Sequence, residues 1–356
     1  MTSQHAPFLV DVRSLRARAE AAGIDLPLII WDETSPSTND ELAALVRSPQ
    51  TLSAEAGRGA PTDEVEGSSA EAVDGASAEA VVREIAGNVD VPDGLPALTI
   101  LGTDYQNAGH GRLGRTWTVP PRRSLTFSIL LRPSVGVESW GWIPLITGEA
   151  VRRAVAEVGV PAVLKWPNDV LTAEGKKLCG ILARIEMLDS GPHIVLGMGI
   201  NTRLEPEDLP REDASSLAIE LGNAGSGVGG ESGSEIDHEA LLVSILSTLI
   251  PALREIDEYG HEDFSRSRTA EQVRAGMVTL GTRVKVERPD GGHLIGRATG
   301  LDPSGDLVID DEITVSAGDV HHLRPAPETP SGETAASDTD SRTTASGTTP
   351  SGATER

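Results

Sequence analysis

The sequence predicts an α+β fold: a mixed or antiparallel sheet with a few helices, followed by a small C-terminal SH3-like β-barrel. Three observations carry this. Apolar runs of strand length mix irregularly with amphipathic helical segments, unlike the strict strand–helix repeat of a doubly wound parallel fold. Strand runs are joined by short turn sequences such as Ala173-Glu174-Gly175, which suit hairpins and antiparallel pairing. From residue 276 to 325 the texture changes to short alternating strands split by Pro-Asp-Gly-Gly and Pro-Ser-Gly-Asp turns.

The elements follow in order. Residues 11–22 space Val12, Leu15 and Ala19 on one helical face, with Gly23 as a stop; this single helix is too little for a helix-turn-helix domain. Residues 26–33 (LPLIIWDE) read as a strand and residues 41–48 (ELAALVRS) as a helix. Residues 51–93 are rich in Ala, Gly, Ser and Glu and read as a low-complexity insertion, with a short helix expected over 78–85. Strands are expected over 95–103 and 124–133, and an amphipathic helix over 142–159. Residues 162–188 read as strand, tight turn, strand, hairpin, strand; residues 193–202 read as a further strand. Residues 222–239 are a second Gly/Ser/Glu-rich insertion, and 240–260 a long amphipathic helix. The expected domains are an N-terminal segment (1–25), a catalytic domain (26–270), the small barrel (276–325) and a disordered tail (326–356).

The chain has 356 residues and a net charge of −24, which is not the footprint of a protein that coats DNA or an anionic membrane. The charge is uneven: residues 51–93 hold ten acids against two arginines, and residues 326–356 five against two. The one cysteine, Cys179, excludes an intramolecular disulfide and fits a reducing compartment. Neither a signal peptide nor an apolar run of membrane-spanning length is evident, so a cytoplasmic protein is expected.

Between the strands at 95–103 and 124–133 lies the run YQNAGHGRLGRTW, residues 105–117. Its three glycines, Gly109, Gly111 and Gly114, would each cost a helix roughly 1 kcal/mol relative to alanine, so the run reads as a loop. Glycines let the backbone approach a ligand and free N–H groups for an anion. Arg112 and Arg115 add planar cations that grip phosphate or carboxylate bidentately.

Other stretches carry chemistry too. Ser37-Thr38-Asn39-Asp40 precedes a helix and reads either as an N-cap or as a set of short hydrogen-bonding groups for a polar ring. Lys165-Trp166-Pro167-Asn168-Asp169 follows an apolar strand, where an unpaired buried ammonium is costly; it reads either as a hairpin with a snorkelling lysine or as a cation held beside a carboxylate or phosphate, with Asn168 and Asp169 near a metal–phosphate group. Gly197-Met198-Gly199-Ile200-Asn201 lacks the third glycine and following helix of a dinucleotide fingerprint. Of the hairpin lysines, Lys177 is the better candidate for phosphate. Cys179 reads as a small core residue rather than a nucleophile, and no His/Cys cluster has metal-ligand spacing.

Taken in order, STN at 37–39, QxAGxGRxGRxW at 106–117, KWPND at 165–169, KLCGIL at 177–182 and GMGIN at 197–201 closely resemble the motifs of the biotin protein ligases. The resemblance implies a class II synthetase-like catalytic domain of the biotin/lipoate ligase type and a two-step reaction. The biotin carboxylate attacks the α-phosphate of Mg-ATP, giving biotinyl-5′-AMP. A lysine of a biotin carboxyl carrier domain, as in acetyl-CoA carboxylase, then takes the biotinyl group. By position, Lys165, Arg112 and Arg115 would be catalytic. Ser37, Thr38, Asn39, Gln106, Gly109, His110, Gly111, Arg112, Lys165 and Gly180 would bind biotin. Arg112, Arg115, Trp117, Asn168, Asp169, Lys177, Gly199 and Asn201 would bind ATP, with Asp169 toward Mg2+.

The sequence departs from the family pattern at His110 and Leu113, where many members carry basic residues. The loop then holds an adenylate with fewer fixed positive charges, which implies weaker affinity for biotin or ATP. Members that repress transcription carry an N-terminal winged helix-turn-helix, so a ligase without nucleic-acid or membrane partners is expected here, as monomer or homodimer. A lipoate or octanoate ligase and a non-catalytic biotin-sensing regulator are the alternatives.

Overall fold

The computed structural model describes residues 8–48, 83–87, 94–224, 236–289 and 291–323. Most of the first predicted insertion, the middle of the second, and the predicted tail lie outside the described residues.

Eight strands form the main sheet. They are β1 (Leu28–Ser35), β2 (Arg83–Gly87), β3 (Ile100–Gln106), β6 (Ser124–Leu131), β7 (Ala162–Lys165), β8 (Asp169–Thr172), β9 (Lys177–Leu188) and β10 (Gly191–Asn201). Their order is β2-β1-β3-β6-β10-β9-β8-β7. Only β1 and β3 pair in parallel; the other neighbours are antiparallel. The sheet is therefore mixed, as the sequence predicts.

Alternation along the strands sends side chains to two separate cores. From β1, Ile29 and Trp31 enter the larger core; it includes helices α1 (Val12–Ala21), α3 (Trp142–Glu157), α5 (His238–Phe264) and α6 (Arg268–Gly276). Leu28 and Ile30 enter a smaller core under helix α2 (Thr38–Arg47). Helix α4 (Leu217–Ala224) follows the strand-rich region. Every buried residue of α1 (Val12, Leu15 and Ala19) is one the spacing selects, and Asp11 caps it.

Three elements differ from expectation. Residues 83–85 belong to strand β2 rather than to a helix over 78–85. Arg83 there donates to buried Asp32 at 2.6 and 2.8 Å and also meets Glu41, so long-range ion pairing and sheet pairing override local helical propensity. Helix α2 starts earlier than predicted because Ser37 caps it, accepting from Asp40 N at 3.3 Å. Helix α6 was not foreseen, and α4 and α5 run into the ends of the second predicted insertion.

The C-terminal part holds β11 (Arg283–Glu287), β12 (His293–Leu301), β13 (Leu307–Ile309), β14 (Ile313–Val315) and β15 (Asp319–His322). They form an antiparallel five-stranded sheet in the order β14-β13-β12-β11-β15, open between its edge strands among the described residues. Two buried indoles tie it to helix α3 and to the β7–β8 turn: Trp142 Nε1 donates to Pro303 O at 2.7 Å and Trp166 Nε1 to Gly305 O at 3.2 Å. Among the described residues, no helix is long and apolar enough to cross a membrane.

Candidate active site

The predicted motifs meet at one cavity of about 490 Å³. It is lined by the start of α2, the end of β3, the Gly/Arg loop, the β7–β8 turn, the glycines of β9 and β10, and β15. Of the residues singled out from sequence, Ser37, Thr38, Asn39, Gln106, His110, Gly111, Arg112, Arg115, Trp117, Lys165, Asn168, Asp169, Lys177, Gly180, Gly199 and Asn201 all line it. Gly109 does not; a Cβ there would sit 2.2 Å from Gln106 Nε2 and 2.5 Å from Trp117 O, so its smallness serves packing beneath the loop.

The sheet itself makes the room. Gly197 and Gly199 sit on the same face of β10, while Met198 and Ile200 turn into the core. A Cβ on Gly197 would meet Asn39 Oδ1 at 2.5 Å, and one on Gly199 the Trp117 ring at 2.7 Å. The GMGIN run is therefore a floor cleared of side chains, not a phosphate-binding turn.

At one end, short polar groups are locked together. Thr38 N donates to Gln106 Oε1 at 2.9 Å, and Asn39 Nδ2 to Leu182 O at 3.0 Å. The Ser128 hydroxyl lies 2.8 Å from both Thr38 Oγ1 and Asn39 Oδ1. Ser37 caps α2, so the N-cap reading holds, and it also lines the cavity. Ser128 escaped the sequence reading; its only signal was one of three hydroxyls, with Ser124 and Thr126, alternating along a buried strand.

At the other end the cations gather. Lys165 is half-buried, and burial pushes its ammonium below the ordinary lysine value, partly offset by Asp169. Among the described residues no carboxylate pairs directly with it; Asp169 is taken by Lys177 Nζ at 2.6 Å. Arg112 Nη1 donates to Asn168 Oδ1 at 3.3 Å, and burial lowers its pKa as well, against the pull of Asp319 and Asp169. Asn168 in turn donates to Ile181 O at 2.7 Å. Lys177 Nζ also stands 5.9 Å from the Trp117 ring centroid. Among the described residues, two buried polar atoms at this cavity have no protein partner, Trp117 Nε1 and Asn201 Oδ1. A buried orphan donor and acceptor cost about 1–3 kcal/mol each unless a ligand or water meets them.

The Gly/Arg loop is more ordered than a simple connection. It closes a small hairpin of β4 (Gly109–His110) and β5 (Thr116–Trp117) around a turn at Arg112–Gly114. Leu113 sits at its tip, exposed, with a φ of 54°. His110 Nε2 approaches Asp40 Oδ2 at 3.2 Å, and Arg184 pairs with the same carboxylate. Arg115 forms an ion pair with Asp319 of β15, so the C-terminal sheet reaches the loop directly. No local motif announces Asp319; its role comes from a contact 204 positions away.

Cys179 is fully buried and its thiol is pushed up to about 12 by burial, in keeping with a core residue. Among the described residues, no group of three His, Cys, Asp or Glu side chains gathers as a metal site.

Comparison with known proteins identifies relatives of the chain. A profile of the Biotin/lipoate A/B protein ligase family matches residues 93–201. The biotin–[acetyl-CoA-carboxylase] ligase of Mycobacterium tuberculosis is 36% identical over 233 residues, spanning 63% of this chain and 79% of that protein. The ligase of the same name from Paracoccus denitrificans is 30% identical over 57% of this chain and 80% of its own length. The fold is shared with a biotin protein ligase from Aquifex aeolicus solved with biotin and ATP: TM-score 0.55, 23% identity, covering 83% of this chain and 99% of that one. The chain belongs to the biotin protein ligase family.

Proposed function

We propose that this chain activates biotin with ATP to biotinyl-5′-AMP and transfers the biotinyl group to a lysine of a biotin carboxyl carrier domain. The observation that carries this reading is Lys165: a half-buried ammonium without a paired carboxylate among the described residues, lining a cavity together with a polar pocket and a cationic loop. Bringing a carboxylate against a triphosphate opposes like charges, and fixed cations that neutralise the growing charge supply much of the catalysis. Lys165 bridges the biotin carboxylate and the α-phosphate oxygens, and Arg112 and Arg115 cover the phosphate. Ser37, Thr38, Asn39 and Gln106, with the backbone at His110 and Gly111, hold the ureido ring; Gly180 leaves space beside it. Trp117, Gly199 and Asn201 form the nucleoside side, where Trp117 Nε1 and Asn201 Oδ1 offer a free donor and acceptor. Asn168, Asp169 and Lys177 lie toward the phosphates.

Mg2+ enters with ATP as substrate. A single carboxylate beside substrate phosphates is the usual magnesium arrangement, and Asp169 supplies it once Lys177 turns to phosphate. The mixed anhydride hydrolyses in water, so the hairpin loop shields it until the acceptor lysine arrives. The five-stranded C-terminal sheet is read as an SH3-like barrel that holds this loop through Asp319. The protein acts in the cytoplasm on the carrier domain of acetyl-CoA carboxylase or a related carboxylase.

The test is biotin-dependent exchange of labelled pyrophosphate into ATP. The reading expects exchange with biotin and none with lipoate or octanoate; exchange with lipoate alone would point to the sister activity instead.

A further inference from the structure

One guanidinium stands behind the polar end of the cavity without lining it. Arg83, on the edge strand β2, grips Asp32 of β1 through Nε at 2.6 Å and Nη2 at 2.8 Å, and Nη2 also meets Glu41 of α2. Asp32 is fully buried, and the side chains of Arg83 and Glu41 are 15% and 26% exposed. One fork therefore separates two carboxylates that would otherwise face each other away from water, where like charges oppose strongly. Burial raises Asp32 to about 6 even with the guanidinium in place.

Glu41 connects this cluster to the site. Its other oxygen accepts from Ser35 Oγ at 2.7 Å. Ser35 is the last residue of β1, fully buried and in register with Gln106 of β3. Its carbonyl accepts from Asn107 N at 3.1 Å, and the next carbonyl, Pro36 O, accepts from Ala108 N at 2.9 Å. Ser37 then caps α2, and Thr38 N donates to Gln106 Oε1 at 2.9 Å. Residues 35–38 thus carry both the polar pocket and the root of the Gly/Arg loop. Glu41, one turn along α2, holds them from behind. Small shifts matter here, because a misplacement of about 1 Å at a binding group can cost on the order of a hundredfold.

We propose that Arg83 is a positioning residue for the biotin end of the site: it pins Glu41 between Asp32 and Ser35, and so fixes the segment that presents Ser37, Thr38 and Asn39 and roots the Gly/Arg loop. The inference rests on the biotin reading above. The phosphate end is lined by other elements, so the effect of Arg83 falls on biotin rather than on ATP. Among the described residues, the charged groups that face Asp32 are Arg83 of β2 and Glu41 of α2. Removing the guanidinium lifts Asp32 further, so the repulsion between the carboxylates depends on pH in the variant and not in wild type.

Pyrophosphate exchange, titrated separately with biotin and with ATP, tests this in Arg83→Met, which keeps an apolar stem and removes the charge. At about pH 9, with Asp32 ionised, the KM for biotin should rise about tenfold and that for ATP by less than about twofold. At about pH 6 Asp32 holds its proton, and the KM for biotin should return to within about threefold of wild type. Arg83→Met combined with Asp32→Asn removes the buried charge along with its partner, and should restore the KM for biotin at both pH values. Arg83→Lys keeps a cation but cannot fork across both carboxylates; it should raise the KM for biotin several-fold, and it carries the test if the methionine variant does not fold. A KM for biotin that stays at the wild-type value in the single variants, that rises in step with the KM for ATP at both pH values, or that the double variant fails to restore would overturn the proposal. Absence of biotin-dependent exchange in the wild-type chain would instead overturn the reading on which it rests.

Discussion

In the proposed function, Lys165 is the residue on which the chemistry turns. Its ammonium is already below the ordinary lysine value because burial disfavours charge, and an arriving carboxylate and triphosphate would restore it. Lys165→Ala should lower the rate of adenylate formation by at least a hundredfold, read by pyrophosphate exchange, while the thermal transition stays near wild type or rises. Gly197→Ala tests the cleared floor. The added methyl sits 2.5 Å from Asn39 Oδ1, so Asn39 must move, and the KM for biotin should rise about tenfold or more with a smaller change for ATP. His110 tests the charge of the loop. His110→Arg should tighten biotin or ATP several-fold in calorimetry, with Asp40 positioned to orient the guanidinium; unchanged or weaker binding of both would remove the charge argument. These side chains were legible because ordered motifs name them. Ser128 and Asp319 were not, because each acts only through a partner far away in sequence.

Among the elements, the hairpin loop and helix α5 make separate predictions. Arg115 is anchored on β15 through Asp319. Asp319→Ala should free the loop and raise both the KM for ATP and the leakage of adenylate, detected as label on bystander lysines. Arg112→Gly should leak more strongly, since it removes a proposed phosphate contact rather than an anchor. In α5, buried His238 holds Thr202 Oγ1 at 3.0 Å, and burial depresses its pKa from 6.5 to about 4. The neutral ring is the folded form. Its contribution is full above pH 6.5 and is lost as pH falls toward 4, because the unfolded chain takes the proton first. The loss is on the order of 3 kcal/mol. Asp32 has the opposite sign: burial raises it to about 6, and its effect on stability declines as pH rises through that value. His238→Gln should therefore flatten the acid-side fall in thermal stability between pH 7 and 5 relative to wild type. Element positions were largely readable from period and turn chemistry. The strand at Arg83–Gly87 was not, because its ion pairs to Asp32 and Glu41 and its register on β1 lie outside any local window.

For the whole molecule, the sequence predicted a mixed sheet, which is present, and a small C-terminal SH3-like barrel, where the described residues form an open five-stranded antiparallel sheet. What it did not convey is how they depend on each other. The KWPND tryptophan, Trp166, is buried and donates to Gly305 O in the C-terminal sheet, while Trp166 N donates to Thr279 Oγ1 at 3.0 Å. The motif that carries Lys165 is thus braced by the small sheet, which also grips the loop through Asp319. The site spans both parts, and the reaction should need them together. The most direct measurement combines the protein, Mg-ATP, labelled biotin and a biotin carboxyl carrier domain, and follows label onto the carrier lysine. The account predicts ATP-dependent labelling that Lys165→Ala abolishes. Failure of the wild-type chain to label the carrier with biotin, together with transfer when lipoate replaces it, would contradict it.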